Sequence, residues 1–150
     1  MRKAAFTFAL PALLLSGLLA RTTRAADEKI VWKPVDDAIL RIDDRPAKTW
    51  NVYRPEKTDK SHLLLVEIGR RFLLLDTREK EIFELVPEKI ERKGKELLWR
   101  EQDKPASPLP SADWTIRDAG RTRRIRARLE REGRVLDVQL PQMPDLRGLY

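Results

Sequence analysis

Glycines divide the middle and the end of the chain into short apolar-rich segments that follow the pattern of β-strands. Each of four glycines stands between two such segments: Gly69, Gly94, Gly120 and Gly133. Glycine adopts the positive φ of tight hairpin turns without a Cβ penalty. This spacing predicts strands joined by hairpin turns.

The last hairpin has a pattern that suggests its register. With a two-residue turn ending at Gly133, Leu129 faces Leu136, and the other apolar residues of both strands fall on the same face. Arg128 then meets Asp137 on the opposite face, as an exposed cross-strand pair.

The preceding turn, centred on Ala119-Gly120, brings Trp114 opposite Ile125 on the same apolar face. The chain from 113 to 140 is therefore predicted to form a three-stranded antiparallel meander.

Further strands are predicted before this meander. Two of them, residues 63–68 and 71–76, flank one turn, and a third covers residues 81–86. Residues 89–92 and 96–100 are predicted to form a hairpin around Gly94. The alternative for this segment is a charged helix that Gly94 interrupts. Residues 38–43 and 48–53 are predicted strands around a turn at Asp44-Arg45-Pro46. Residues 104–111 contain three prolines and predict an extended connection, and residues 141–150 form a tail.

The fold class predicted from these segments is all-β. Many short strands in mostly local, antiparallel order indicate an up-and-down barrel or a two-sheet sandwich, and the sequence leaves both open. Residues 26–150 form a single domain in this interpretation.

The first 25 residues have the pattern of an export signal. A basic start at Arg2-Lys3 precedes an uncharged segment from Ala4 to Ala20, and Thr23-Arg24-Ala25 predicts cleavage before Ala26. An uncleaved membrane anchor is the alternative, because 17 apolar residues are the short limit of a spanning helix. Both interpretations predict that residues 26–150 form a periplasmic or extracellular domain, and after cleavage the mature chain has no membrane span.

Charge and cysteine content narrow the possible functions. The chain carries a formal charge of +7, but residues 26–150 hold 27 basic and 24 acidic residues, or only +3. This mild excess and the predicted export argue against nucleic acid as a partner. Because the chain has no cysteine, disulfides and thiolate chemistry are excluded.

An arginine-rich strand is the most distinctive feature of the sequence. Arg124, Arg126 and Arg128 share the predicted outward face, where they form either a solvated strand face or a site for an anionic partner. Arg123 falls on the apolar face instead. As a buried charge it must reach the rim, pair with an acid or be displaced by a bulge at Gly120, and we favour the bulge. The functional alternative is that Arg123 lies at the mouth of a barrel and contacts the head of an apolar ligand.

Two other features allow both a structural and a functional reading. His62 is the single histidine, and without a catalytic motif nearby we expect an exposed strand-end residue. Residues 63–66 and 72–75 are apolar on both faces, which indicates either a hairpin covered on both sides, for example by the C-terminal tail, or a surface that meets a partner chain.

The sequence therefore predicts an exported, non-catalytic binding or protein-interaction module whose partner is a protein or a small molecule. The alternatives are a barrel carrier of a small apolar ligand and a polyanion binder that uses the arginine-rich strand. No catalytic residue, metal ligand or cofactor is predicted.

Overall fold

The computed structural model describes residues 29–141, which form two antiparallel β-sheets packed face to face. The predicted all-β class is confirmed. The predicted signal segment and most of the predicted tail lie outside the described residues. Within residues 29–141 there is no helix with the length and apolar character that a bilayer crossing requires.

Twelve strands make up the two sheets. They are β1 (Lys29–Pro34), β2 (Ile39–Ile42), β3 (Arg45–Pro46), β4 (Trp50–Pro55), β5 (Leu63–Ile68), β6 (Arg71–Asp76), β7 (Glu81–Leu85), β8 (Glu91–Lys93), β9 (Glu96–Arg100), β10 (Ser111–Ala119), β11 (Thr122–Leu129) and β12 (Arg134–Pro141). The larger sheet has the order β7-β6-β5-β4-β1-β9-β8, and the smaller has the order β10-β11-β12-β2-β3.

The hairpin of β11 and β12 has a longer loop than the two-residue turn predicted from its sequence. Leu129 lies opposite Arg134, and its carbonyl accepts a hydrogen bond from the Gly133 amide at 2.8 Å. The pairing is therefore displaced by two residues, so that Arg126, and not Arg128, lies opposite Asp137. Because side chains alternate with a period of two, this displacement leaves every residue on its predicted face.

The pairing of β10 with β11 is also displaced by two residues from the register predicted from the sequence. Ile116, and not Trp114, lies opposite Ile125. The register is then interrupted between Ala112 and Thr115, where Asp113 has a φ of 56°. A bulge at this point is a local irregularity that the alternation of the sequence did not indicate.

Several strand pairings join distant parts of the chain. β1, which the sequence pattern did not reveal, lies between β4 and β9, and β2 pairs with β12. The predicted strands around residues 38–43 and 48–53 therefore belong to different sheets. The turn after β2 is made by Asp43 and Asp44, both with positive φ, so that Arg45–Pro46 pairs back onto β2 instead of forming the turn itself.

Strands β4 to β7 of the larger sheet contribute buried side chains to both of its faces. One face packs on the smaller sheet and forms the sandwich core, which contains Leu64, Val66, Ile125 and Val138. The sheet curls into a half-barrel, and its other face encloses a second core. Trp32 and Trp99 lie in this second core with ring centroids 6.4 Å apart.

The two cores explain the hairpin of β5 and β6. Leu64 faces the sandwich core and Leu65 the half-barrel core, and both are at most 3% exposed. The hairpin is thus covered on both sides, as one of the two readings predicted. The cover comes from the smaller sheet and from the curl of the larger sheet itself.

A polar network closes the curl. Tyr53 on β4 donates a hydrogen bond to Glu67 on β5 at 2.9 Å, and Arg92 on β8 donates to the same carboxylate at 2.7 Å. Because β8 is the last strand of the larger sheet, this contact joins its edge to strands near its middle.

Candidate ligand-binding site

A pocket of about 480 Å³ opens at one end of the sandwich, between the two sheets. We call it the end pocket. Its walls include Arg54 and His62 from the larger sheet and its loops, and Arg123 from the smaller sheet.

The floor of the end pocket is apolar. Leu64, Ile125 and Leu140 line it, and all three belong to the sandwich core. The pocket is therefore an opening of the core at the point where the sheets separate. An apolar group that enters it would continue the packing of the core.

Arg54 is a partly buried cation that has no carboxylate partner within residues 29–141. It points to the inner face of the larger sheet, because it alternates with Val52 of the sandwich core. One of its Nη atoms donates a hydrogen bond across the sandwich to the carbonyl oxygen of Pro141 at 2.5 Å. Burial lowers the pKa of the Arg54 guanidinium, and the positive charge of Arg123 lowers it further.

The other described arginines that are not fully exposed differ from Arg54 because they have carboxylate partners. Among the described residues, each of them forms an ion pair with at least one carboxylate. These pairs are Arg71 with Glu84 and Glu132, Arg123 with Asp118, Arg126 with Asp44 and Asp137, and Arg128 with Asp113. Arg54 is therefore the exception within the described part of the chain.

The opposite end of the sandwich provides an internal comparison. There Arg71 on β6 also reaches across to the smaller sheet, where it meets the carboxylate of Glu132 at 2.7 Å. Its charge is satisfied inside the protein, whereas the partner of Arg54 in the described part of the chain is a carbonyl oxygen. Each end of the sandwich thus has a partly buried arginine, but the arginine at one end pairs with a carboxylate and the arginine at the other end contacts a backbone carbonyl.

Arg123 lines the end pocket from β11. The bulge favoured for it at Gly120 is absent, because the pairing is regular from Ala119 to Ile116. Instead, Arg123 pairs with an acid, which was one of the two remaining structural explanations. Asp118 lies directly opposite and accepts hydrogen bonds from it at 2.7 and 3.2 Å.

His62 is half-buried in the wall of the end pocket, and not exposed as predicted. Its carbonyl oxygen accepts hydrogen bonds from the backbone amide and the hydroxyl of Thr77, both at 2.9 Å. These bonds fix the start of β5. The Nδ1 atom of the imidazole is buried and has no hydrogen-bond partner.

The end pocket offers groups that can bind a ligand. Among the described residues, no hydroxyl forms a hydrogen bond with the His62 imidazole. Residues 29–141 also contain no cluster of three or more potential metal ligands. What the pocket can supply is positive charge beside an apolar floor.

The predicted arginine face lies elsewhere, on the outer side of β11. Arg124 donates hydrogen bonds to Asp137 from its Nε atom, at 3.0 and 3.1 Å, and from one Nη atom. Arg126 lies 3.8 Å from the same carboxylate, and Arg128 pairs with Asp113 at 2.9 Å. Most of the positive charge on this face is therefore offset by acids of the chain itself.

Sequence reasoning identified Arg123 but missed Arg54 and the pocket role of His62. Arg54 follows an apolar pair in a polar stretch, and nothing in the local pattern distinguishes it from a surface arginine. Its significance depends on β12, which is far away in the chain and brings a carbonyl oxygen but no carboxylate.

No family model, curated protein or solved structure matches this chain.

Proposed function

We propose that this protein is an exported binding module that holds a small amphipathic anion in the end pocket. The anionic head contacts Arg54 and Arg123, and the apolar part lies on Leu64, Ile125 and Leu140. The export part of the proposal depends on the sequence pattern of residues 1–25 alone.

The observation that carries the proposal is the charge of Arg54. A guanidinium that is partly removed from water and has no carboxylate partner is costly, and a second arginine nearby adds repulsion. A bound anion would relieve both costs. Guanidinium groups also suit carboxylate, sulfonate and phosphate heads, because they donate paired hydrogen bonds.

The size and lining of the pocket support an amphipathic ligand over a small inorganic ion. A volume of about 480 Å³ lies within the usual range for small-molecule sites, which combine an apolar lining with a few polar groups. An inorganic anion would leave the leucine and isoleucine floor without a partner.

The other two sequence-based hypotheses have less support. A protein-interaction surface was suggested by the hairpin of β5 and β6, whose apolar side chains are covered within the chain. A polyanion site was suggested by Arg124, Arg126 and Arg128, which have carboxylate partners. Both remain predictions.

The test is the binding of decanoate to the purified protein, measured by isothermal titration calorimetry below the micelle concentration. We expect Arg54→Gln to weaken binding by about tenfold or more, because the variant loses a charged hydrogen-bond donor to the head group. Arg128→Gln is the matched control, since it removes the same charge from the outer face of β11. Its affinity should stay within about twofold of the wild type.

Two results would contradict the proposal. One is an absence of decanoate binding to the wild-type protein. The other is an equal loss of affinity in Arg54→Gln and Arg128→Gln, which would mean that the anion responds only to the net charge of the protein.

A further inference from the structure

We propose that residues 142–150, which follow β12, occupy the end pocket when no ligand is bound, and that the amphipathic anion displaces them. We call residues 142–150 the C-terminal segment. In this arrangement the carboxylate of Asp145 contacts the guanidinium of Arg54. The inference rests on the proposed function and adds a means of regulating it.

The path of the chain brings the C-terminal segment to the end pocket. Leu140 lies in the pocket floor, and the carbonyl oxygen of Pro141 accepts a hydrogen bond from Arg54 at 2.5 Å. The segment therefore starts beside the arginine that has no carboxylate partner within residues 29–141. An extended chain covers about 3.3–3.6 Å per residue, so Asp145, four positions after Pro141, has a reach of about 13 Å from it. This reach is enough for the chain to turn back onto Arg54.

The C-terminal segment has the chemistry that the end pocket would accept. Asp145 is its one acidic residue, and the nearby Met143 and Leu146 are apolar. A carboxylate close to apolar side chains matches a pocket that has arginines above a floor of leucine and isoleucine. Arg147 is the one basic residue of the segment, and its long side chain can keep its charge in water at the rim.

Arg54 is the cation of the end pocket that suits a carboxylate of the segment best. Arg123 already donates hydrogen bonds to Asp118 at 2.7 and 3.2 Å. The acid at the rim, Glu56, lies 3.4 Å from Lys33, and both of these side chains are more than half exposed. Arg54 is partly buried and bonds to a backbone carbonyl. A carboxylate interacts most strongly with a cation that is shielded from water and not yet paired.

The covalent link makes even a weak contact effective. A short flexible connection holds a segment at an effective concentration in the millimolar range. At an effective concentration of about 4 mM, a contact with a dissociation constant of about 1 mM is formed most of the time, and it lowers the apparent affinity of a competing ligand about fivefold. Such a contact is weak enough for an amphiphile to displace it.

The first test measures the affinity of the full chain for decanoate by isothermal titration calorimetry. Asp145→Asn should bind decanoate about fivefold more tightly than the wild type, because the segment loses its competing carboxylate. The matched control is Asp113→Asn, which changes the net charge equally but removes the partner of Arg128 on the outer face of β11. Its affinity should stay within about twofold of the wild type. In the Arg54→Gln background, the gain from Asp145→Asn should vanish.

The second test follows the C-terminal segment itself. Met1 and Met143 are the two methionines of the chain, and hydrogen peroxide converts an accessible methionine to its sulfoxide. Peptide mapping by mass spectrometry gives the oxidation rate of Met143, and free methionine in the same tube corrects for the reagent. We expect saturating decanoate to accelerate the oxidation of Met143 about threefold or more, because the displaced segment enters water. Asp145→Asn should show the same acceleration without ligand.

The outcomes separate the two proposals. Suppose that decanoate binds and Arg54→Gln weakens it, but Asp145→Asn binds it no better and decanoate leaves the oxidation rate of Met143 unchanged. The C-terminal segment then does not occupy the pocket, and the binding function stands. If decanoate binds neither the wild type nor Asp145→Asn, the proposed function is wrong. Faster oxidation of Met143 in both Arg54→Gln and Asp145→Asn would in that case still assign the segment to the pocket.

Discussion

At the scale of single residues, Asp137 organises the outer arginine face of β11. Its side chain is 4% exposed, and it accepts hydrogen bonds from Arg124 while Arg126 lies 3.8 Å away. A carboxylate can be buried in a strand when cations cover it in this way. The arginine pattern that suggested an anionic partner therefore has an acidic partner within the same sheet.

We predict that Asp137→Asn destabilises the fold by about 1–3 kcal/mol, because Arg124 and Arg126 lose their shared carboxylate. The value lies below that of a fully buried pair, since the Arg124 side chain is 45% exposed. Urea denaturation measures it, with Asp113→Asn, an exposed partner of Arg128, expected to cost less than about 0.5 kcal/mol. Equal losses in the two variants would contradict this role of Asp137.

Tyr53 gives a prediction for alkaline pH. Burial raises the pKa of its phenol above 10, and the hydrogen bond to Glu67 raises it further. A raised folded-state pKa means that Tyr53 contributes stability below the unfolded pKa of about 10. This contribution is lost as the pH rises through the folded-state value.

The measurement is absorbance at 295 nm during an alkaline titration. Tyr53 and Tyr150 are the two tyrosines of the chain, so Tyr53→Phe leaves a single phenol and the difference isolates Tyr53. We expect the difference curve to have its midpoint above pH 10. A midpoint at or below pH 10 in the folded protein would be inconsistent with the Glu67 network.

At the scale of elements, the hairpin of β5 and β6 belongs to two cores at once. Its strands alternate between side chains that face the smaller sheet and side chains that face the half-barrel. A continuous apolar run is the pattern expected of a strand buried on both faces. The same pattern would also fit a hairpin that packs one face against a partner chain. The curl of the larger sheet decides between these two arrangements, because it covers the second face of the hairpin within the chain.

Substitutions on the two faces test this arrangement. Leu64→Ala and Leu65→Ala should each destabilise the protein by about 2–5 kcal/mol, because each leaves a cavity in a closed core. Ile39→Ala, at a residue that is 40% exposed, should cost less than about 1 kcal/mol. A small effect of Leu65→Ala in chemical denaturation would mean that the half-barrel core is not closed in solution.

At the scale of the whole molecule, the two ends of the sandwich differ in how they satisfy charge. At one end Arg71 joins the sheets through Glu132, and at the other Arg54 joins them through a backbone carbonyl. At the first end the charge of Arg71 is neutralised within the chain, whereas at the second Arg54 has no carboxylate partner among the described residues. This asymmetry supports our proposal that a ligand binds in the end pocket.

The export proposal also belongs to this scale. We expect the protein recovered from its host envelope or medium to begin at Ala26, because signal peptidase reads the small residues at positions 23 and 25. Intact-mass spectrometry of that fraction gives the N-terminus directly. A full-length product that stays in the cytosol would contradict export.

Local pattern predicted most of the strands but not all of their pairings. Glycine turns and alternation gave β5, β6, β9 and β12 within about one residue of their observed bounds. Alternation also assigned the correct faces in β11 while the register was wrong by two residues, because a shift of two preserves the face and only the loop length changes. The strand β1 was missed since its place between β4 and β9 depends on distant partners.

The sequence by itself determined the all-β class, the inward and outward faces of its strands and the unusual position of Arg123, because these follow from side-chain alternation and turn chemistry within a few residues. The tertiary structure decided which charges have partners. Arg123 and Asp118 are close along the chain, but Arg54 meets Pro141 and the end pocket only when two separate sheets pack. A charge is balanced or unbalanced by what folding brings within a few ångströms of it, and that cannot be read from its neighbours in sequence.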